Sequence, residues 1–158
     1  MTPAPPASAD HETLVHFLGR TTLFGGLGKR DLEHLARFVL VRQFRDGESI
    51  YEEGRPGAAL FLVRTGRVEI TKRMADGSTL AVASLDPPAS FEELAAIGGE
   101  VARWTSARAR GAVELLALGR ADLESLSRQN PSAANKVIVS LAEATARRLH
   151  LLLESQGT

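Results

Sequence analysis

The chain has 158 residues, a length that suits one domain and suffices to bury a core without disulfides or metals. Nineteen Lys plus Arg balance nineteen Asp plus Glu, so the basic excess expected of a dedicated nucleic-acid or anionic-membrane binder is missing. Cysteine is absent, which excludes disulfide scaffolds, thiolate metal sites and thiol nucleophiles. No apolar run nears the roughly 20 residues of a membrane span, and the first nine residues lack the charged and apolar regions of a secretory signal. The expectation is a cytoplasmic protein.

Residues 1–9 are rich in Pro and Ala and read as a disordered tail, ahead of a single domain over 10–156. Asp10 is placed to cap a short helix carrying Leu14, Val15, Phe17 and Leu18. Gly25-Gly26 breaks the chain, and Leu32, Leu35, Ala36 and Val39 predict a second helix from Lys29 to about Phe38. From Val39 to about Leu118 the texture changes to short apolar runs punctuated by turn signals. Asp46-Gly47, Glu53-Gly54, Pro56-Gly57, Gly66 and Asp76-Gly77 separate the runs. Val68 and Ile70 alternate with polar neighbours as in a half-buried strand. Such spacing predicts an antiparallel sandwich or barrel-like roll.

One helical insertion interrupts the strands. Pro87-Pro88 stops a strand, and Phe91 to Ile97 holds good helix formers, with Ser90 as N-cap, Glu93 completing a capping box and Gly98-Gly99 as the stop. Two strands follow, Thr105–Arg110 and Val113–Leu118. The C-terminal helices occupy about 121–155: a short segment over Asp122–Ser127, then a long helix opened by Asn130-Pro131. Its apolar positions include Ala134, Val137, Ile138, Leu141, Ala142, Thr145, Leu149 and Leu152, and Leu151 and Leu153 widen the stripe.

Catalytic and metal motifs do not emerge. His11, His16, His34 and His150 lack metal-ligand spacing, and the chain holds no H-E-x-x-H, G-x-S-x-G, Walker loop or dinucleotide fingerprint. Glu52 and Glu53, as strand neighbours, point to opposite faces and cannot form an acid/base pair. No cofactor is expected.

Three stretches together resemble a cyclic nucleotide-binding domain, the sensor domain of catabolite activator proteins, also found in protein kinase A regulatory subunits and gated channels. They are Leu23-Phe24-Gly25-Gly26-Leu27, the run from Arg45 to Gly54, and the run from Leu60 to Val68; the last two resemble the family's first and central hairpins. The resemblance covers about Leu23 to Leu153. It implies an α+β fold: an antiparallel β-roll (a double-stranded, jelly-roll-like β-helix) with short N-terminal helices, an inserted cassette helix and a long C-terminal helix. The family's phosphate-binding cassette reads Phe-Gly-Glu-Leu-Ala, a linker, then Arg-Ser/Thr-Ala. Phe91, Glu92, Glu93, Leu94 and Ala95, then Arg103, Trp104 and Thr105, match it here. The resemblance implies that Glu93 takes a ribose hydroxyl and Arg103 the cyclic phosphate of cAMP or cGMP.

Two positions depart from the pattern. Glu92 replaces the cassette glycine and Trp104 the Ser/Thr; upstream, Asp86 and Pro88 stand where the family has glycines. A carboxylate about 4 Å from a phosphate costs roughly 1 kcal/mol in water and about 4 at a surface-like dielectric, enough to offset much of the attraction to Arg103. Arg103 has the alternative of pairing with Glu92 or Glu93, which would keep the pocket's shape without ligand. Trp104 is a stacking platform, a plug, or a half-buried strand aromatic.

Two readings follow. The chain is a non-enzymatic sensor module in which ligand at Glu93 and Arg103 shifts the cassette and the long helix. Alternatively it is a degenerate domain that has lost its ligand and serves as an interaction or assembly subunit. A hydrolase ranks third, for want of a nucleophile–base pair. Only three residues follow the long helix, so output is expected through an unidentified protein partner and not through DNA or a membrane. In the family this helix often joins two subunits, and Ile138, Leu141, Thr145, Leu149 and Leu152 are the expected homodimer positions; packing on the roll alone is the alternative.

Overall fold

The computed structural model describes residues 8–98 and 101–157. Two helices, α1 (Ser8–Gly19) and α2 (Lys29–Ala36), precede the roll. The roll consists of β1 (Leu40–Phe44), β2 (Ser49–Tyr51), β3 (Pro56–Gly57), β4 (Ala59–Arg73), β5 (Thr79–Leu85), β6 (Ser90–Phe91), α3 (Glu93–Ile97), β7 (Val101–Ala102) and β8 (Ser106–Gly119). It is followed by α4 (Arg120–Gln129) and α5 (Pro131–Gln156). Residues 1–7 of the expected tail lie outside the described residues. α1 begins at Ser8, so Asp10 lies inside its first turn and not ahead of it.

The frame of the roll is one long antiparallel pair. β4 and β8 run from Ala59 opposite Gly119 to Thr71 opposite Ser106. β1 and β2 add to the other edge of β8, β5 and β6 add to β4, and β3 pairs with β7 apart from the main sheet. The apolar run Ala59–Val63 does not alternate because both its faces are covered. Leu60 and Leu62, with Leu116 and Leu118, pack toward the helices among Leu14, Phe24, Leu35, Leu126 and Val137. Phe61 and Val63, with Leu115 and Ala117, fill the roll interior with Phe44, Ile50, Tyr51 and Phe91.

The glycines at the middle of the roll act differently from the sequence expectation. Gly66 does not end a strand, and the stretch from Leu60 to Val68 is not a hairpin but part of the single strand β4. Likewise the two strands expected over 105–118 are one strand, β8. Gly66 and Gly111 both take positive φ (85° and 71°), and the β4–β8 register slips around Thr65. A residue added to a ladder in this conformation bends the strand without reversing it. A Cβ at Gly66 would collide with the Ala112 carbonyl oxygen. Asp46-Gly47 is part of the same corner: the Gly111 amide donates to Asp46 Oδ1 at 2.7 Å, and the Gly47 amide donates to the Ala109 carbonyl at 2.9 Å. Thus β1 and β2 each pair with β8 and not with one another. Asp76-Gly77 does form the expected turn, between β4 and β5.

Asn130 caps α5 by accepting from the Ala133 amide at 3.2 Å, with Pro131 at the first helical position. Its Nδ2 donates to Asp31 Oδ1 at 2.8 Å, which ties the α4–α5 junction to α2. Only the first half of α5 is buried, through Ala133, Ala134, Val137 and Leu141. Leu141 is fully buried in the domain's own core, which removes it from the expected dimer positions. Ile138, Leu149 and Leu152 are exposed, as are Leu151 and Leu153; Thr145 is also on the open side, its hydroxyl bonded to the Leu141 carbonyl. Among the described residues no helix is long and apolar enough to cross a membrane.

Candidate functional site

The site is assembled where the chain leaves β4's neighbourhood and returns. β6 pairs with β4 so that Phe91 lies opposite Phe61. Their rings stack at 5.3 Å, and Tyr51 joins them at 6.2 Å from Phe91. This aromatic floor fixes the point from which α3 projects. Phe91 is therefore a strand residue, not the start of the helix. The N-cap is Glu92, at φ 60° and ψ 34°, and not Ser90. The backbone keeps a left-handed conformation that glycine adopts freely, and a glutamate holds it at a cost of roughly 1–2 kcal/mol. Ser90 and Glu93 do meet, Ser90 Oγ donating to Glu93 Oε1 at 2.8 Å, but as strand and helix side chains and not as a capping box. Gly98 ends α3 in extended backbone; Gly99 lies outside the described residues.

A cavity of about 310 Å³ opens over this floor. It brings together Phe91, Glu92, Glu93, Leu94, Ala95, Arg103, Trp104 and Thr105, all expected at the site, and adds Tyr51, Ala102 and Arg148. A larger hollow of about 570 Å³ between α1 and α2 is lined by charged groups such as Arg20, Lys29 and Glu33, which stand in solvent. Among the described residues no cluster of His, Asp or Glu has the arrangement of a metal site.

Arg103 is pinned from several sides. Its Nε lies 3.4 Å from Glu92 Oε2, with both side chains largely buried (14% and 17% exposed). Its guanidinium carbon sits 4.4 Å from the centre of the Tyr51 ring, a cation–π contact. Gly57 leaves the space it occupies, since a Cβ there would come within 2.7 Å of Nε. The backbone is held by the Arg103 amide donating to the Arg55 carbonyl and the Gly54 amide donating to the Arg103 carbonyl. Nε itself is buried without a hydrogen-bond partner among the described residues. Burial pushes the Tyr51 phenol above its ordinary range, against the lowering effect of its 3.3 Å hydrogen bond with Thr105; the Glu92 charge adds to the rise.

Glu93 is also paired, but with a different part of the molecule. Arg148 of α5 lies 2.6 Å from its Oε1 and donates to the Ser90 carbonyl at 2.8 Å. Burial alone would raise the Glu93 carboxyl. Hydrogen bonding and charge from Arg148, with the helix amide and Ser90, outweigh it and hold the carboxyl below the usual carboxylate range. Trp104 is 74% exposed at the rim and plugs nothing, and Leu94 is exposed beside the same mouth. Ser106 is engaged elsewhere, accepting from the Glu53 amide at 2.9 Å. Sequence reasoning passed over Tyr51, Gly57 and Arg148. Tyr51 closes an apolar run that could have marked it as inward-facing, whereas Arg148 carries no local signal.

Residues 41–130 match the family model of the cyclic nucleotide-binding domain. The chain belongs to that family. It is 34% identical over 127 residues to the cyclic AMP receptor protein of Thermus thermophilus, covering 80% of this chain and 56% of that protein. It is 30% identical over 134 residues to a putative potassium channel protein of Rhodopseudomonas palustris, covering 85% of this chain and 32% of that protein. The chain thus spans about half or less of those two relatives' own lengths. The crystal structure of the Thermus thermophilus catabolite activator protein superposes with a TM-score of 0.77 at 31% identity, covering 87% of this chain and 62% of that one.

Proposed function

We propose that the chain is a non-catalytic regulatory module, cytoplasmic, in which occupancy of the cassette cavity is read out by α5. The observation that carries this reading is the Glu93–Arg148 pair, which joins the residue matching the family's ribose-binding carboxylate directly to the long helix. A ligand hydroxyl that engages Glu93 competes with Arg148 for the same oxygen. Releasing Arg148 loosens the half of α5 that the core does not hold, where Leu149, Leu151, Leu152 and Leu153 are exposed. Those leucines already offer an open apolar face to a partner protein or a second copy of the chain, and the release changes how firmly that face is held. Amide exchange tests the linkage without any ligand. Arg148→Ala and Glu93→Gln should each speed exchange over residues 145–156 and leave β4 and β8 protected. Unchanged exchange in α5 would remove the readout.

A second reading draws on the Glu92–Arg103 pair. Arg103, the position matching the family's phosphate-binding arginine, is already neutralised within the chain. The domain then serves as an assembly subunit with its cavity held by its own ion pair. Purified protein carrying an ordered nucleotide would rule this out.

A further inference from the structure

The charged groups of the cassette cavity are matched two against two, Glu92 with Arg103 and Glu93 with Arg148. Among the described residues, a ligand entering here meets a lining of no net charge. Yet hydrogen-bonding capacity is left over, because the Arg103 Nε is buried without a hydrogen-bond partner among the described residues. The chemistry that satisfies such a pair is a group that accepts from Arg103 and donates to Glu92 together. A hydroxyl does both. A cyclic phosphate only accepts, and brings its own negative charge against Glu92.

At about 4 Å that repulsion lowers affinity by roughly fivefold in water and by up to about a thousandfold at a surface-like dielectric. The cavity's volume of about 310 Å³ lies at the small end of ligand pockets, roughly 300–1,000 Å³. At its mouth Trp104, three-quarters exposed, offers a free aromatic face of the kind on which nucleobases stack.

We propose that the cavity selects an uncharged nucleoside, a ribose carrying a flat base, over a cyclic nucleotide, and that Glu92 sets this preference. The proposal rests on the reading above that the cavity is a ligand site. The ribose hydroxyls lie between Glu92 and Arg103 and against Glu93, and the base covers Trp104.

The test titrates adenosine, guanosine, cAMP, cGMP and free ribose into the full chain by calorimetry, with fluorescence of Trp104, the single tryptophan, as a second readout. The same titrations use Glu92→Gly, a residue that accepts the φ of 60° at this position. Expected is at least one nucleoside binding the natural chain tenfold or more tightly than either cyclic nucleotide, with Trp104 quenched. In Glu92→Gly the order should reverse. Cyclic nucleotides binding the natural chain more tightly than nucleosides would overturn the proposal and leave the sensor reading standing. An order that Glu92→Gly does not change would also overturn it, as would ribose binding as tightly as the nucleosides. Binding of no probe to either protein would overturn both the proposal and the ligand-site reading.

Discussion

The cassette cavity has two sides built from the same chemistry, a glutamate facing an arginine, and they do different work. On the Glu92–Arg103 side both side chains are mostly buried and belong to the cassette itself. On the Glu93–Arg148 side the carboxylate is buried, but the arginine is half exposed and comes from α5. The first pair can be broken only by exposing or neutralising a buried charge, so it shapes the pocket. The second exchanges readily with solvent at one end, so it can serve as a link between pocket and helix. Burial, more than distance, separates a structural pair from a switchable one.

The comparison is most sharply tested by removing one arginine at a time. Arg103→Met leaves Glu92 buried and unpaired in a strained backbone, and should cost about 3 kcal/mol, read as a lower urea midpoint with unchanged slope. Adding Glu92→Gly to it should recover most of that loss, as expected of a pair whose members act only on one another. Arg148→Ala leaves the buried Glu93 still bonded to Ser90, and water can take the place of a guanidinium already half exposed, so it should cost about 1–2 kcal/mol, less than the loss at Arg103. If the two single losses are equal, the contrast between the sides fails.

Acidification sharpens the contrast further. The Glu93 carboxyl is held below its ordinary value of 4.5, so the unfolded chain binds the proton more readily than the folded one. Its contribution is complete above that value and is lost as pH falls through the lower folded value. Denaturation curves from pH 6 to pH 3 should show this loss, and Arg148→Ala should flatten it. The smallest effect belongs to a pair on the open face of the roll. Glu69→Gln breaks the contacts from Arg110 at 2.8 and 3.0 Å, and the urea midpoint should not move measurably, because both groups stay solvated.

Much of this organisation was legible in the chain itself, and the misses have physical reasons. Helix boundaries followed capping chemistry where the cap acts locally, as at Asn130-Pro131. Gly66 and the break expected between Arg110 and Val113 mislead because a positive φ serves a bend as well as a turn, and only the partner strand decides which. The family resemblance, and not the local pattern, is what groups Phe91, Glu93 and Arg103, which the structure brings to one cavity. The backbone of Glu92 could not be read from the pattern, since propensity gives glutamate to helix and the aromatic floor overrides it. Arg148 stands 55 residues from Glu93, beside Ala144, Thr145, Leu151 and Leu152 on α5, and an arginine on that face does not by itself name its partner. Leu141 was assigned to a second copy because a stripe shows which residues are apolar but not which are already covered.

The pairing of β4 with β8 has a consequence for how the chain can change. Residues 74–105, between those strands, leave the frame and come back to it, carrying β5, α3 and the cassette. The frame pairs residues far apart in sequence, and the cassette is fastened to it chiefly through Phe91 and Ala96. Position 104, whose side chain is three-quarters exposed, is therefore scarcely constrained by folding, whereas position 92 is tied to Arg103. The same roll can exchange one recognition loop for another while its core stays constant.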